Sequence, residues 1–293
     1  MTSPTPIGRQ SMNNSAAGPA DAATSAEIPQ AIAAPAAADI TGAIPDVSGR
    51  KSPTAPLSRL PDIIGGPMLR AAAIKGDPAA AYEVGMRFAE GKGVPQNFDE
   101  AAKWYDHAAQ AGLIPAIFRL GTFYEKGLGV KKDHDLARRY YLQAAERGNA
   151  KAMHNLAALD ADGGGKGANY ESAANWFRKA ADRGVADSQF NLGILYARGI
   201  GVEQNLAESF KWFSLAAAQG DADAALKRDD IAQRLDAQSL AAAKLAIQTF
   251  SVEPQPDDAV NVATPAGGWD QAAPQAATTK PVARPVAKKT AAR

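Results

Sequence analysis

Residues Ala116–Gly148 read AIFRLGTFYEKGLGVKKDHDLARRYYLQAAERG, and the same pattern occurs four times. AYEVGMRFAEGKGVPQNFDEAAKWYDHAAQAG, from Ala81, falls in register with it at an offset of 36 residues. AMHNLAALDADGGGKGANYESAANWFRKAADRG, from Ala152, and SQFNLGILYARGIGVEQNLAESFKWFSLAAAQG, from Ser188, continue the period without insertion or deletion. Trp104, Tyr140, Trp176 and Trp212 lie one period apart, as do Gly112, Gly148, Gly184 and Gly220. A period of this length marks a stacked array, whose units each complete the buried face of the next.

Each unit reads as two antiparallel helices. In the first helix of unit one, Tyr82, Val84 with Gly85, and Phe88 form an apolar stripe, and Gly91 sits where a helix ends in the left-handed conformation. The second helix opens behind Asn97, Asp133, Asn169 or Asn205, each short enough to accept a hydrogen bond from the first turn. Acid follows at Asp99, Asp135 and Glu171, where the helix dipole favours it. Gly85, Gly121 and Gly193 fall inside first helices, where glycine costs about 1 kcal/mol relative to alanine. Recurrence at one phase implies close helix approach. The Trp or Tyr at 104, 140, 176 and 212 and the alanine pairs from Ala108-Ala109 to Ala216-Ala217 would fill the groove as structural core.

The fold class is therefore all-α, with four helix pairs at about 77–112, 113–148, 149–184 and 185–220. Met68–Gly76 aligns with the end of a unit and predicts a cap over 67–76, and the charged helical pattern over 221–250 predicts a capping pair. The repeat domain spans 63–250. Residues 1–62 are rich in Ala, Pro and Ser, and 251–293 lack a sustained apolar period, so both are expected to be disordered.

The formal charge of +1 gives no reason to expect a nucleic-acid partner, and the absence of cysteine excludes disulfides and thiolate chemistry. KPVARPVAKKTAAR at the end is basic, read either as a weak anionic-surface contact or as a solvated tail. No apolar run is long enough to span a membrane, and no signal-peptide pattern follows Met1, so the chain as written reads as soluble and cytoplasmic, or periplasmic if it is a piece of an anchored protein. His107, His134 and His154 fall at different phases without a recurring partner, which argues against an enzyme. GGGKG at 163–167 lacks the phosphate-loop spacing, and no cofactor is called for.

The Leu-Gly pair, the aromatic three residues on, the Gly-x-Gly-Val turn and the aromatic pair before Ala-Ala resemble the Sel1-like repeat, a relative of the tetratricopeptide repeat, over roughly 68–250. The resemblance implies a right-handed α-solenoid acting as an adaptor for a protein or peptide partner. The tail PQPDDAVNVATPAGGWDQ is similar, more narrowly, to the region after the array in alphaproteobacterial polar-organelle-development proteins. That likeness implies an envelope factor associated with peptidoglycan or a cell-wall enzyme as the alternative function.

On the first helices, the places outside the core stripe predict a partner-binding strip on the concave side: Glu83 and Arg87, Arg119 and Phe123, Asn155 and Leu159, and Asn191, Leu195 and Arg198. An ordinary solvated helix face is the competing reading. Trp269, alone in a polar tail, reads as a docking motif for a partner or as an incidental residue. DADGGGKGANYE, Asp160–Glu171, has the acids of a calcium loop at its first, third and twelfth places. Repeat phase explains Glu171 and the turn glycines, Ala168 and Gly164 offer no ligand, and no metal is expected. Asp160 in place of an aromatic marks unit three as the loosest.

Overall fold

The computed structural model describes residues 60–163 and 167–270. The regions 1–59 and 271–293, and with them most of the segments expected to be disordered, lie outside the described residues, as do Gly164, Gly165 and Lys166 of the glycine-rich turn. The described residues form helices and no strands. After a 3-10 turn at Asp62–Ile64 come the cap α1 (Pro67–Ile74) and the first pair, α2 (Pro78–Glu90) with α3 (Phe98–Gln110). Three further pairs follow: α4 (Ile114–Lys126) with α5 (His134–Glu146), α6 (Ala150–Asp162) with α7 (Tyr170–Asp182), and α8 (Ala186–Arg198) with α9 (Leu206–Ala218). The far cap is α10 (Ala222–Arg234) with α11 (Ala237–Gln248), and a short α12 (Asp257–Val260) lies beyond it. We call α2, α4, α6 and α8 the A helices and their partners the B helices; from α1 to α10 each helix packs on the next in chain order, while α11 folds back on α9 and α12 on α4.

Local chemistry sets the boundaries. Asn97, Asp133, Asn169 and Asn205 each accept a hydrogen bond from the backbone N–H three residues on, at 2.9–3.0 Å, as N-caps do. The A helices end at Gly91, Gly127, Gly163 and Gly199, with φ between 68° and 81°, a region that favours glycine.

The glycines inside the A helices meet the second ring of each B-helix pair, not the first as expected. A Cβ on Gly85 would lie 2.9 Å from Tyr105, one on Gly121 2.6 Å from Tyr141, and one on Gly193 2.8 Å from Phe213. Trp104, Tyr140 and Trp212 are buried, but Trp176 is only partly buried, with the Lys179 Nζ 3.9 Å from its ring centre. Asp160, expected to mark unit three as the loosest, makes a polar tie where the aromatic is missing. The carboxylate is buried, accepts from Ser172 Oγ at 2.5 Å and pairs with Arg138 of the preceding unit, a polar tie where unit two stacks Tyr124 on Tyr140 at 5.6 Å.

The expected boundary at 250 does not match the backbone, because residues 251–270 lie packed on the array. The Glu253 N–H donates to Asp182 O at 2.9 Å, and the Glu253 carboxylate pairs with Arg183 at 3.1 Å. Gln255 Oε1 accepts from the Ala150 N–H at 2.9 Å, and Ala259 O accepts from Asn149 Nδ2 at 2.6 Å. Ala259 and Trp269 are buried in the same core as unit one. The apolar anchors of this segment are too few and too irregularly spaced to show a period.

Phe177→Ala is expected to lower stability by about 3 to 5 kcal/mol, the range for a fully buried aromatic, and Trp176→Ala by clearly less, since part of its surface stays in water. Urea denaturation of the two variants measures the difference.

Candidate partner-binding surface

Glu83, Arg119, Asn155 and Asn191 occupy the same place on successive A helices, and the next turn carries Arg87, Phe123, Leu159 and Leu195. The repeat therefore aligns them, but burial divides them. Phe123, Leu159 and Leu195 are 4%, 7% and 0% exposed, so they fill the space between helices instead of lining an open strip. Phe123 sits edge-on to Phe98 and Tyr105, at 5.9 and 5.3 Å. Asn191 is also buried, with no hydrogen-bond partner for its Nδ2. Glu83, Arg119 and Asn155 are half-buried and Arg198 is exposed. The expectation of alternating amide, guanidinium and apolar groups along an open face fails at the apolar places, because in a stacked pair the position four residues on turns inward.

Four of the polar members, Glu83, Arg87, Arg119 and Asn155, have internal partners. Arg119 Nε reaches Tyr82 Oη at 3.5 Å, and Asn155 hydrogen-bonds to Tyr141, whose hydroxyl also meets Thr122 Oγ1 at 3.2 Å and Glu125 Oε2 at 2.5 Å. Burial, together with the Glu125 charge, pushes the Tyr141 hydroxyl well above its ordinary range, so it stays a donor.

Arg87 is the most constrained. It is buried; its Nε donates to Glu83 at 2.7 Å, its Nη1 to Ile64 O at 2.9 Å, and Nη1 and Nη2 donate to the two carboxylate oxygens of Asp270 at 2.9 Å each. This is the bidentate fork that guanidinium geometry favours. The Arg87 bond holds the Asp270 carboxyl below the usual carboxylate range, and Asp270 in turn raises Arg87. Trp269, read as a motif for another protein, is docked on its own chain next to this pair. Trp269 was the legible signal; its receptor, 182 residues away, was not.

One buried ionisable contact escaped sequence reading. His154 Nδ1 lies 2.8 Å from Ser188 Oγ, across the α6–α8 boundary, with Asp187 nearby. Ser188 is 0% exposed, so solvent does not reach the hydroxyl, and the pair reads as a packing contact. Among the described residues no cluster of three or more His, Cys, Asp or Glu could hold a metal ion, and no helix is long and apolar enough to cross a membrane.

Antiparallel helix pairs joined by short turns and stacked in chain order define an α-solenoid of the tetratricopeptide-like kind. Its units are Sel1 repeats, and the chain is a Sel1-repeat protein: the family matches residues 78–113, 114–149, 150–185 and 186–221. Among solved structures, it is similar to a protective antigen of uropathogenic Escherichia coli strains that displays an SLR fold. That match has 28% identity and a TM-score of 0.54, over 65% of this chain and 46% of the other. It is also similar to a Sel1 repeat protein from Oxalobacter formigenes, at 31% identity and a TM-score of 0.51, over 56% of this chain and 48% of that one. The chain thus spans about half the length of these relatives. No curated protein matches it. Sel1-repeat proteins generally act as protein-interaction scaffolds, and the fold is typically a non-catalytic module.

Burial lowers the His154 pKa below its ordinary value of about 6.5, against the opposing pull of Asp187. Below that value the unfolded chain binds the proton more readily than the folded one, so stability falls as pH drops from about 6.5 toward the depressed folded value. Melting temperatures from pH 7 to 5 are expected to show this slope in the wild type and a shallower one in His154→Gln. Calorimetric titration with calcium is expected to show no site with a Kd below about 10⁻⁵ M, because the Asp160 carboxylate is already engaged by Ser172 and Arg138.

Proposed function

We propose that the chain is a non-catalytic adaptor that holds an extended segment of a protein partner against the A-helix side of its array. The observation that supports this reading is how the array treats residues 252–259. Its inter-unit turns take this stretch largely through backbone and amide groups: Asp182 O accepts from the Glu253 N–H at 2.9 Å, Asn149 Nδ2 donates to Ala259 O at 2.6 Å, and the α6 N-terminus donates to Gln255 at 2.9 Å. The two contacts to tail backbone, at Glu253 N–H and Ala259 O, ask little of the side chain, while Gln255 Oε1 and the Glu253 carboxylate on Arg183 add side-chain selectivity. Lys126 and Arg198, which close their A helices at the end away from those inter-unit turns, are exposed and available to a partner. The envelope association rests on the resemblance of the tail alone.

The full-length chain, used as bait with mild cross-linking in cytoplasmic and envelope fractions, is expected to enrich a partner over an unrelated helical repeat. Lys126→Glu with Arg198→Glu should weaken the recovered complex at least about 10-fold, or about 1.4 kcal/mol, by calorimetry, with helicity kept. Equal affinity for the wild type and the double variant would remove the A-helix side from the binding surface.

A further inference from the structure

We propose that the site around Arg87 is a receptor for an aromatic–aspartate pair in an extended peptide, that Trp269 and Asp270 fill it in cis, and that a partner segment of the same chemistry takes it by displacing them. The proposal rests on reading the array as a peptide-binding scaffold, and it adds the identity of the segment that is bound.

The receptor belongs to the array and not to the tail. Arg87 is positioned by Glu83 one turn back on α2 at 2.7 Å and by Ile64 O of the 3-10 turn at 2.9 Å, so its fork is aimed before any carboxylate arrives. Two adjacent glycines shape the approach. A Cβ on Gly65 would lie 2.5 Å from Arg87 Nη1, and one on Gly66 would lie 3.3 Å from Trp269 O and 3.6 Å from the Asp270 Cα. A side chain at either place would push the guanidinium aside or crowd the peptide backbone. The Gly66 N–H also hydrogen-bonds to the Asp270 carboxylate, so three N–H donors from the array converge on one acid. A planar fork plus a backbone donor selects a carboxylate, and the slot beside it takes a ring, since Trp269 is 7% exposed.

The resident pair is built to leave. The Asp270 side chain is 63% exposed, so the carboxylate faces water on the side away from Arg87. The Trp269 Nε1 is buried without a hydrogen-bond partner, which leaves a donor unsatisfied that a ring without an N–H would not bring. Between α12 and the pair, Asn261, Ala263, Thr264, Ala266 and Gly267 are exposed, and Gly267 and Gly268 take φ of 86° and 81°. This tether can swing while the contacts at Gln255 and Ala259 hold. A cis ligand on a short tether acts at an effective concentration of about millimolar, so an outside peptide meets a largely closed site until it binds tightly enough to compete.

The test uses the full-length chain and a labelled peptide with the sequence of residues 261–272, NVATPAGGWDQA, followed by fluorescence anisotropy. W269A/D270N, which empties the site, is expected to bind the peptide at least about 10-fold more tightly than the wild type. Replacing the peptide's aspartate by asparagine should cost at least about 10-fold, and replacing its tryptophan by phenylalanine should tighten binding. Circular dichroism checks that the variant keeps its helices. Equal binding to both chains, no binding to a folded W269A/D270N, or a variant that loses its helices would each overturn the proposal, the last by making the pair a structural staple. A wild-type dimer that the variant cannot form would overturn it in favour of a second copy's tail as the occupant. If the variant ignores the peptide while partner capture still depends on Lys126 and Arg198, this inference falls and the adaptor reading stands.

Discussion

The contact between an A-helix glycine and the second ring of the B-helix pair sets the geometry of the array. At Gly85, Gly121 and Gly193 a Cβ would stand 2.6–2.9 Å from ring atoms of Tyr105, Tyr141 and Phe213, so the ring occupies the room a side chain would need. Each A helix lies against its B helix at one fixed height and rotation, which makes the pair a rigid wedge. Because the period has no insertions, every wedge repeats the last one's orientation, and Glu83, Arg119, Asn155 and Asn191 come into line. Unit three makes the contact with Ala157 and Phe177, both fully buried. The glycine thus serves the closest approaches, while the ring opposite is common to all four units.

A second set of glycines joins the wedges. The turn of unit two brings Gly129 against the backbone of Phe98, where a Cβ would lie 2.2 Å away, and Gly201 meets Tyr170 in the same way at 2.3 Å. Both have positive φ, 60° and 68°, so the residue type is required twice over, by conformation and by space. Each turn is thereby seated on the first residue of a preceding B helix, itself fixed by an N-cap hydrogen bond. Capping, turn and stacking support one another, and local and global preferences agree along the array.

That agreement explains what the sequence makes legible. The period, the N-caps, the turn glycines and the existence of both caps follow from residue type at fixed phase. Two things did not follow. Helical spacing alone did not decide which ring of an adjacent aromatic pair meets the glycine, since Trp104 and Tyr105 differ by one position and both are buried. The inward turn of Phe123, Leu159 and Leu195 was hidden for a related reason: a stripe inferred for one helix pair omits the face that stacking buries against the next unit. The docked tail left least trace, because its hold depends on partners far away in sequence, among them Asn149 with Ala259 and Arg87 with Asp270.

The tail is held unequally along its length. From Glu253 to Ala259 its contacts are hydrogen bonds from buried or partly buried groups, each worth about 0.5 to 1.5 kcal/mol net. At the far end, burying a large ring contributes about 1.5 to 3 kcal/mol. An ion pair to a carboxylate as exposed as Asp270 adds about 0 to 1 kcal/mol, and the unpaired Trp269 Nε1 costs about 1 to 3 kcal/mol. The unpaired donor thus offsets part of what ring burial and the ion pair contribute, so the last two described residues are held less firmly than their burial alone suggests, and the tether that presents them supplies the remainder. A segment fixed at its base and held less firmly at its tip has the form of a latch, and the repeat array supplies both the hinge and the catch.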